Sequence, residues 1–246
     1  MKRERIDKLL VERGDVASRE RARALIMAGA VRVGDAVVDK PGTLVATDAA
    51  IAVAGADIPY VSRGGVKLAG ALEIFGLEIG DRCVLDAGAS TGGFTDCLLQ
   101  RGARAVIAVD VGYGQLAWSL RGDPRVRVLE RFNVRHLTAQ DLPAVPDLAV
   151  VDVSFISLRL VLPAIAAVLA PGGDIVALVK PQFEVGKGEV GGGGVVRDPA
   201  QHTAVVAAVR TCGEGLGLTC LGECPSPLLG PKGNREFFLW WRKPAG

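Results

Sequence analysis

This 246-residue chain has little of what a disulfide scaffold, a metal centre or a membrane span requires. Its five cysteines (Cys83, Cys97, Cys212, Cys220 and Cys224) are odd in number and form no C-x-x-C pair, so free thiols in a reducing compartment are expected. With two histidines, His136 and His202, no tetrahedral ligand set suggests itself, and no metal is expected. The most apolar run, Leu158 to Ala170, is broken by Arg159 and Pro163 and is too short to cross a bilayer. Met1-Lys-Arg-Glu-Arg5 lacks an apolar signal core, so the expectation is a cytoplasmic protein with no membrane partner. No internal repeat is visible, and a net charge of +2 rules out a globally polycationic chain. The charge is uneven, however: residues 1–23 carry eight Lys/Arg against five acids.

What is present begins with Asp86-Ala-Gly-Ala-Ser-Thr-Gly-Gly-Phe-Thr95. It follows the apolar run Cys83-Val-Leu85 and precedes a helical pattern of Phe94, Cys97 and Leu98, with Gly102 past its end. A buried strand ending in an acid, a glycine-rich turn and a helix make the first unit of a nucleotide-binding α/β sheet. A dinucleotide fingerprint needs glycine where Ser90 stands, and no Gly-Lys-Ser/Thr follows, so pyrophosphate and P-loop readings fail. The acid followed by G-x-x-x-G-G resembles the loop of S-adenosylmethionine-dependent methyltransferases, which surrounds the methionine end of that cofactor.

Further strands are expected at Ala105–Val109, Val126–Leu129, Leu148–Val151 and Ile175–Val179, then Leu218–Leu221 and Phe237–Trp241. Helical segments separate most of them, and Gly64 to Phe75 is helical in pattern. This alternation predicts a mostly parallel, doubly wound α/β sheet. Val185 to Gly194, rich in glycine, is expected to be a mobile loop beside the ligand edge.

The first sixty residues read as a separate small α+β unit. A helix is expected over 4–13, and Ser18 can cap a second that ends at Gly29. Gly34-Asp35 lies between Val31, Val33 and Val37, Val38 as a hairpin turn, and Ile51–Val53 is a further strand. Arg5 with Lys8 and Arg19 with Arg23 each share a helix face. By itself that is most simply a solvated face. The pattern Arg5-Ile-Asp-Lys-Leu-Leu10, Ser18-Arg19-x-x-Ala22 and Ile26-x-Ala-Gly-x-Val31-x-Val-Gly34 resembles the S-four type RNA-binding domain, over roughly residues 3–57. The resemblance turns the four cations toward RNA phosphates. The domain expectation is 1–58 for RNA binding, 59–63 as linker and 64–246 for chemistry.

Asp86, Asp110, Asp152 and Lys180 fall at strand ends, where one crevice can collect them. A lysine directly after Ile175-Val-Ala-Leu-Val179 enters a partly desolvated place, which suits a general base. Lys67, Asp152 in Val-Asp-Val-Ser-Phe-Ile, Lys180 in Val-Lys-Pro-Gln-Phe-Glu and Glu236 in Gly-Asn-Arg-Glu-Phe-Phe match in order the Lys-Asp-Lys-Glu tetrad of FtsJ-type ribose methyltransferases. With the S-four module in front, the chain resembles the TlyA family of ribosomal RNA cytidine 2'-O-methyltransferases, historically labelled hemolysins. The resemblance implies a Rossmann-like class I methyltransferase fold, S-adenosyl-L-methionine as cofactor and ribosomal RNA or a ribosomal subunit as partner, with the protein a monomer. It implies Lys180 as base, Asp152 and Lys67 orienting it, and Glu236 holding the ribose or the lysines. Asp86, Gly88, Ser90, Thr91, Gly92, Gly93, Phe94, Asp110, Val111 and Asn133 are then the cofactor residues. A membrane-active hemolysin would need an amphipathic or spanning segment, and none appears. A noncatalytic RNA-binding protein would have lost the loop or the tetrad, and both are intact.

Overall fold

The computed structural model describes residues 3–16, 18–54, 58–186, 190–191 and 193–246. The chain divides into two compact units, Met1–Arg63 and Gly64–Gly246.

The first unit opens with β1 (Arg3–Arg5), α1 (Ile6–Glu12) and α2 (Arg19–Met27), followed by β2 (Val31–Val33), β3 (Ala36–Val38), β4 (Leu44–Ala46) and β5 (Ile51–Val53). The helix expected over 4–13 starts later, because Arg3–Arg5 pair antiparallel with β4 instead. Ser18 caps α2 by accepting from the Arg21 N–H at 3.2 Å, and Gly29 closes it with φ +69°. The hairpin turns at Gly34, φ +58°, and β5 adds to the far side of β2. Ile6, Leu9 and Leu10 of α1 meet Ala22, Leu25 and Ile26 of α2 over Val31 and Val45, one small core with no exposed member.

The second unit contains α3 (Arg63–Phe75), β6 (Cys83–Ala87), α4 (Gly93–Gln100), β7 (Ala105–Val109), α5 (Trp118–Arg121) and β8 (Val126–Leu129). It continues with β9 (Leu148–Val151), α6 (Leu158–Val168), β10 (Asp174–Val179), α7 (Pro181–Glu184), α8 (Pro199–Gly215), β11 (Thr219–Pro225) and β12 (Phe237–Arg242). One seven-stranded sheet has the order β11-β12-β10-β9-β6-β7-β8. The five strands from β10 to β8 run parallel, while β12 enters antiparallel beside β10 and pairs antiparallel with β11. β9 and β10 are buried along their whole length, as expected of parallel strands covered on both faces.

α6 shows how the cover is made. Val161, Leu162 and Ile165 recur at helical spacing and are fully buried against Val151, Ile175 and Ala177, each contributing roughly 1.5–3 kcal/mol. Pro163 lies inside this helix and has no N–H to give the Arg159 carbonyl, which faces the Cys212 thiol at 4.0 Å. The chain runs from β6 to β7 and β8 on one side and returns to β9 on the other. The switch point therefore falls between β6 and β9, where a ligand crevice opens at the strands' C-terminal ends. Of the expected mobile loop at 185–194, residues 187–189 and 192 lie outside the described residues. No described helix is long and apolar enough to cross a membrane.

Candidate active site

A cleft of about 480 Å³ opens at the switch point, lined by Gly88, Ser90, Asp110, Val111, Asn133 and Asp152 with an apolar wall of Phe132, Val134 and Ile156. Ser90 takes φ +48° and donates its N–H to Asp110 at 2.8 Å. The Gly112 N–H donates to the other oxygen of Asp110 at 2.7 Å, so this carboxylate is fixed by backbone. Gly88 has φ +90°, and a Cβ there would lie 2.6 Å from the Asp152 carbonyl oxygen. Glycine is required here because β6 and the end of β9 touch. Asn133 accepts from the Arg135 N–H at 3.1 Å and begins a short 3-10 turn.

Other expected cofactor residues lie elsewhere in the loop. A Cβ on Gly92 would strike the Leu116 and Leu120 side chains, so that glycine serves the packing of α5. Gly93 and Phe94 are buried in α4, with the Phe94 ring 6.2 Å from that of Phe238. The Thr91 carbonyl accepts from Ala117 at 3.2 Å. Asp86 lies beneath the cleft, fully buried, and accepts the Thr95 hydroxyl at 2.6 Å. Burial pushes its pKa up to about 7, the Thr95 bonds work against this, and the charges of Asp152 and Asp110 add to it.

The four residues matched to the tetrad are joined as two ion pairs. Lys180, next after β10, reaches Asp152 Oδ1 at 2.7 Å and the Ser154 hydroxyl at 2.9 Å. Lys67 of α3 donates to Glu236 Oε2 at 2.5 Å. Lys67, Lys180 and Glu236 are all buried, whereas Asp152 both holds Lys180 and lines the cleft. The other oxygen of Glu236, Oε1, has no partner among the described residues. A Cβ on Gly230 would fall on this carboxylate, so that glycine makes room for it.

Ser154 and Gly230 were not singled out from the sequence. Ser154 carried a signal, standing two residues past Asp152 at a strand end. Gly230 carried none. Phe155 was also missed: it takes φ +63° at the cleft wall with its ring 90% exposed and 5.1 Å from Phe183. Glu184 is buried and ties α7 to the start of α6, accepting from Ser157 Oγ and the Leu158 N–H, each at 2.6 Å. Burial raises its pKa, partly offset by those bonds.

In the first unit, Arg5 and Arg19 both bind Asp7, Lys8 pairs with Glu4 and Glu12, and Arg23 is exposed. Among the described residues no cluster of three or more His, Cys, Asp or Glu is placed to hold a metal ion.

The FtsJ-like methyltransferase family model matches residues 60–243, and the S4 (S-four) domain model matches residues 4–51. The chain is 54% identical to the Mycobacterium tuberculosis 16S/23S rRNA (cytidine-2'-O)-methyltransferase TlyA, over 98% of its own length and 90% of that protein. The chain belongs to the TlyA family of FtsJ-like methyltransferases. It is 50% identical, over 97% of its length and 85% of the relative, to Bacillus subtilis YqxC, which is provisionally named an rRNA methyltransferase. A solved Streptococcus thermophilus structure, provisionally named a hemolysin, superposes with a TM-score of 0.78 at 44% identity, covering 99% of this chain and 90% of that one. The TlyA-family protein is thus a methyltransferase with the class I fold, preceded by an S-four domain.

Proposed function

We propose that this chain transfers a methyl group from S-adenosyl-L-methionine to the 2'-oxygen of a cytidine ribose in ribosomal RNA, in the cytoplasm, with Lys180 as general base. The observation that carries the reading is Asp152, which lines the cleft on one side and holds the Lys180 amine at 2.7 Å on the other.

The cleft suits the cofactor. Each Asp110 oxygen already accepts one backbone N–H and keeps a lone pair for a ribose hydroxyl, and Phe132, Val134 and Ile156 offer an apolar wall to an adenine. S-adenosylmethionine supplies an already activated methyl group. Every further step belongs to the chain's own residues. Lys180 is held by its hydrogen bond to the Ser154 hydroxyl and its contact with Asp152, and an amine lone pair at this place takes the ribose hydroxyl proton. Glu236 Oε1, buried without a partner among the described residues, accepts from a ribose hydroxyl, while Lys67 fixes its orientation. The exposed face of Phe155 offers stacking to an unstacked base. Proton removal of this kind contributes on the order of 10²–10⁴-fold, and alignment of the two substrates about 7–11 kcal/mol.

Lys180→Ala is expected to keep cofactor and RNA binding and lose turnover, since proton removal matters only in the transition state. Wild-type product should show a single gap in an alkaline ladder of ribosomal RNA, because a blocked 2'-oxygen cannot attack its phosphodiester. A methylated transcript with an unbroken ladder would refute the ribose assignment.

A further inference from the structure

Glu184 is a buried carboxylate that the chemistry above does not use, and it stands four residues after Lys180. Its Oε2 accepts from Ser157 Oγ and its Oε1 from the Leu158 N–H, each at 2.6 Å. The Arg159 guanidinium lies beside it, with Nε 3.6 Å from Oε2 and Nη2 donating to the Glu184 carbonyl at 3.2 Å. The carboxylate side chain is 3% exposed, and burial disfavours its charged form. An apolar side chain of this size would carry no such penalty. Nor does α6 need Glu184 as its cap, because Ser157 Oγ already accepts from the Arg159 N–H at 3.2 Å.

Residues 180–184 and 152–158 are joined at three places, in the same order along both segments. Lys180 reaches Asp152 at 2.7 Å and Ser154 at 2.9 Å, the Phe183 ring lies 5.1 Å from that of Phe155, and Glu184 holds Ser157 and Leu158. Between these ties Phe155 sits at φ +63°, a conformation that an L side chain keeps only where its surroundings impose it. α7 is a single turn, and a cavity of about 340 Å³ between its end and α8 leaves that end incompletely packed. The hydrogen bonds of Glu184 are therefore what fixes this end of the pair.

We infer that Glu184 is a positioning residue for methyl transfer. From the far end of the paired segments it sets the loop that brings Asp152 and Ser154 to the Lys180 amine and lays Asp152, Phe155 and Ile156 along the cleft. This rests on the role proposed for Lys180 and deepens it. Among the described residues Glu184 makes no hydrogen bond to Lys180 or Asp152, so it acts through the loop between them. Ser157 is only three residues from Ser154, and a displacement of about 1 Å in an aligned site can lower a rate about a hundredfold.

The test separates placement from stability. Full-length variants would be assayed for methyl transfer from S-adenosylmethionine to RNA in ribosomal subunits, with cofactor calorimetry and a thermal melt of each. Glu184→Ala should lower kcat roughly ten- to a hundredfold at saturating cofactor and weaken cofactor binding roughly three- to tenfold, since the same loop lines the cleft. Glu184→Gln keeps an oxygen for the Leu158 N–H and should recover most of kcat. Glu184→Asp keeps the charge but draws the carboxylate back by one methylene, and should lower kcat at least about threefold even if Glu184→Ala does not fold. Ile107→Val thins the buried core in β7, away from both segments, and should lower the melting temperature with kcat unchanged. In a Ser154→Ala background the loss from removing the Glu184 carboxylate should shrink, because both changes act on one loop. Wild-type kcat in Glu184→Ala or Glu184→Asp below the melting temperature, or losses that simply add with Ser154→Ala, overturns the positioning role, while alkali-resistant methylation by the wild type preserves the ribose reading. A wild type that leaves no alkali-resistant linkage overturns both.

Discussion

At the scale of single residues, the acid beneath the cleft is the one that its surroundings shift most plainly. Asp86 reads in the sequence as a strand-end ligand to the cofactor, but it lies inside the sheet with one oxygen on Thr95 and the other unpaired among the described residues. The difference is physical: a strand's last acid points into the crevice or under it according to the pleat, and spacing alone does not distinguish the two. Burial pushes Asp86 up to about 7 from an ordinary 3.8. Between those values the folded protein holds a proton that the unfolded chain has released, so this residue's contribution to stability falls as pH rises from about 4 to about 7. Asp86→Asn has no such titration. Urea melts between pH 4.5 and 8 should show the variant gaining on the wild type with rising pH, then running parallel above pH 7. Parallel curves across the whole range would mean that Asp86 titrates normally. The four residues matched to the tetrad can each be picked out from local motifs. Its pairing was not, because Lys67 and Glu236 are 169 positions apart in the chain.

At the scale of elements, the strand–turn–helix unit around 83–100 was legible because its signals are strong and local: a buried run, clustered glycines, then helical spacing. β1 and β4 gave no such signal. Arg3-Glu-Arg5 reads as a helix start, and Leu44-Val-Ala46 buries one residue of three, too short for alternation to show. The loop glycines also divide by cause, which composition does not reveal. Gly92 makes space for leucines, whereas Gly88 lets two strand ends meet. Gly88→Ala should therefore act on both the sheet and the cleft. Its φ of +90° costs an L-residue about 1–3 kcal/mol, and the new Cβ presses on the Asp152 backbone that positions the Lys180 partner. A loss of that size lowers the melting temperature of a unit this large by roughly 2–12 °C. Calorimetry with S-adenosylmethionine should show heat for the wild type and none for the variant. Undiminished heat from Gly88→Ala would remove the 86–95 loop from the cofactor site.

At the scale of the whole molecule, each unit has a core of its own: one cluster lies between Ile6 and Val45, and the buried residues of the other unit run from Leu68 and Leu72 of α3 to Trp241. Removing residues 1–58 leaves the larger cluster and the cleft with all their members. What the truncation removes is Arg5 and Arg19 with their shared partner Asp7, Lys8, Arg23 and the rest of the cation-rich first segment. If RNA affinity comes largely from phosphates neutralised there, the truncated protein should bind S-adenosylmethionine with unchanged heat and bind ribosomal RNA more weakly. Its salt dependence should flatten by about 0.7–0.9 for each phosphate that is no longer neutralised. Turnover on RNA should then fall through a raised KM more than through kcat, since the groups proposed to act on the ribose hydroxyl remain in place. Filter binding and calorimetry on one preparation separate the outcomes. Unchanged RNA affinity and slope would retire the first unit as the RNA-binding module. Absence of cofactor heat would mean that the second unit does not fold without the first, against the independence of the two cores.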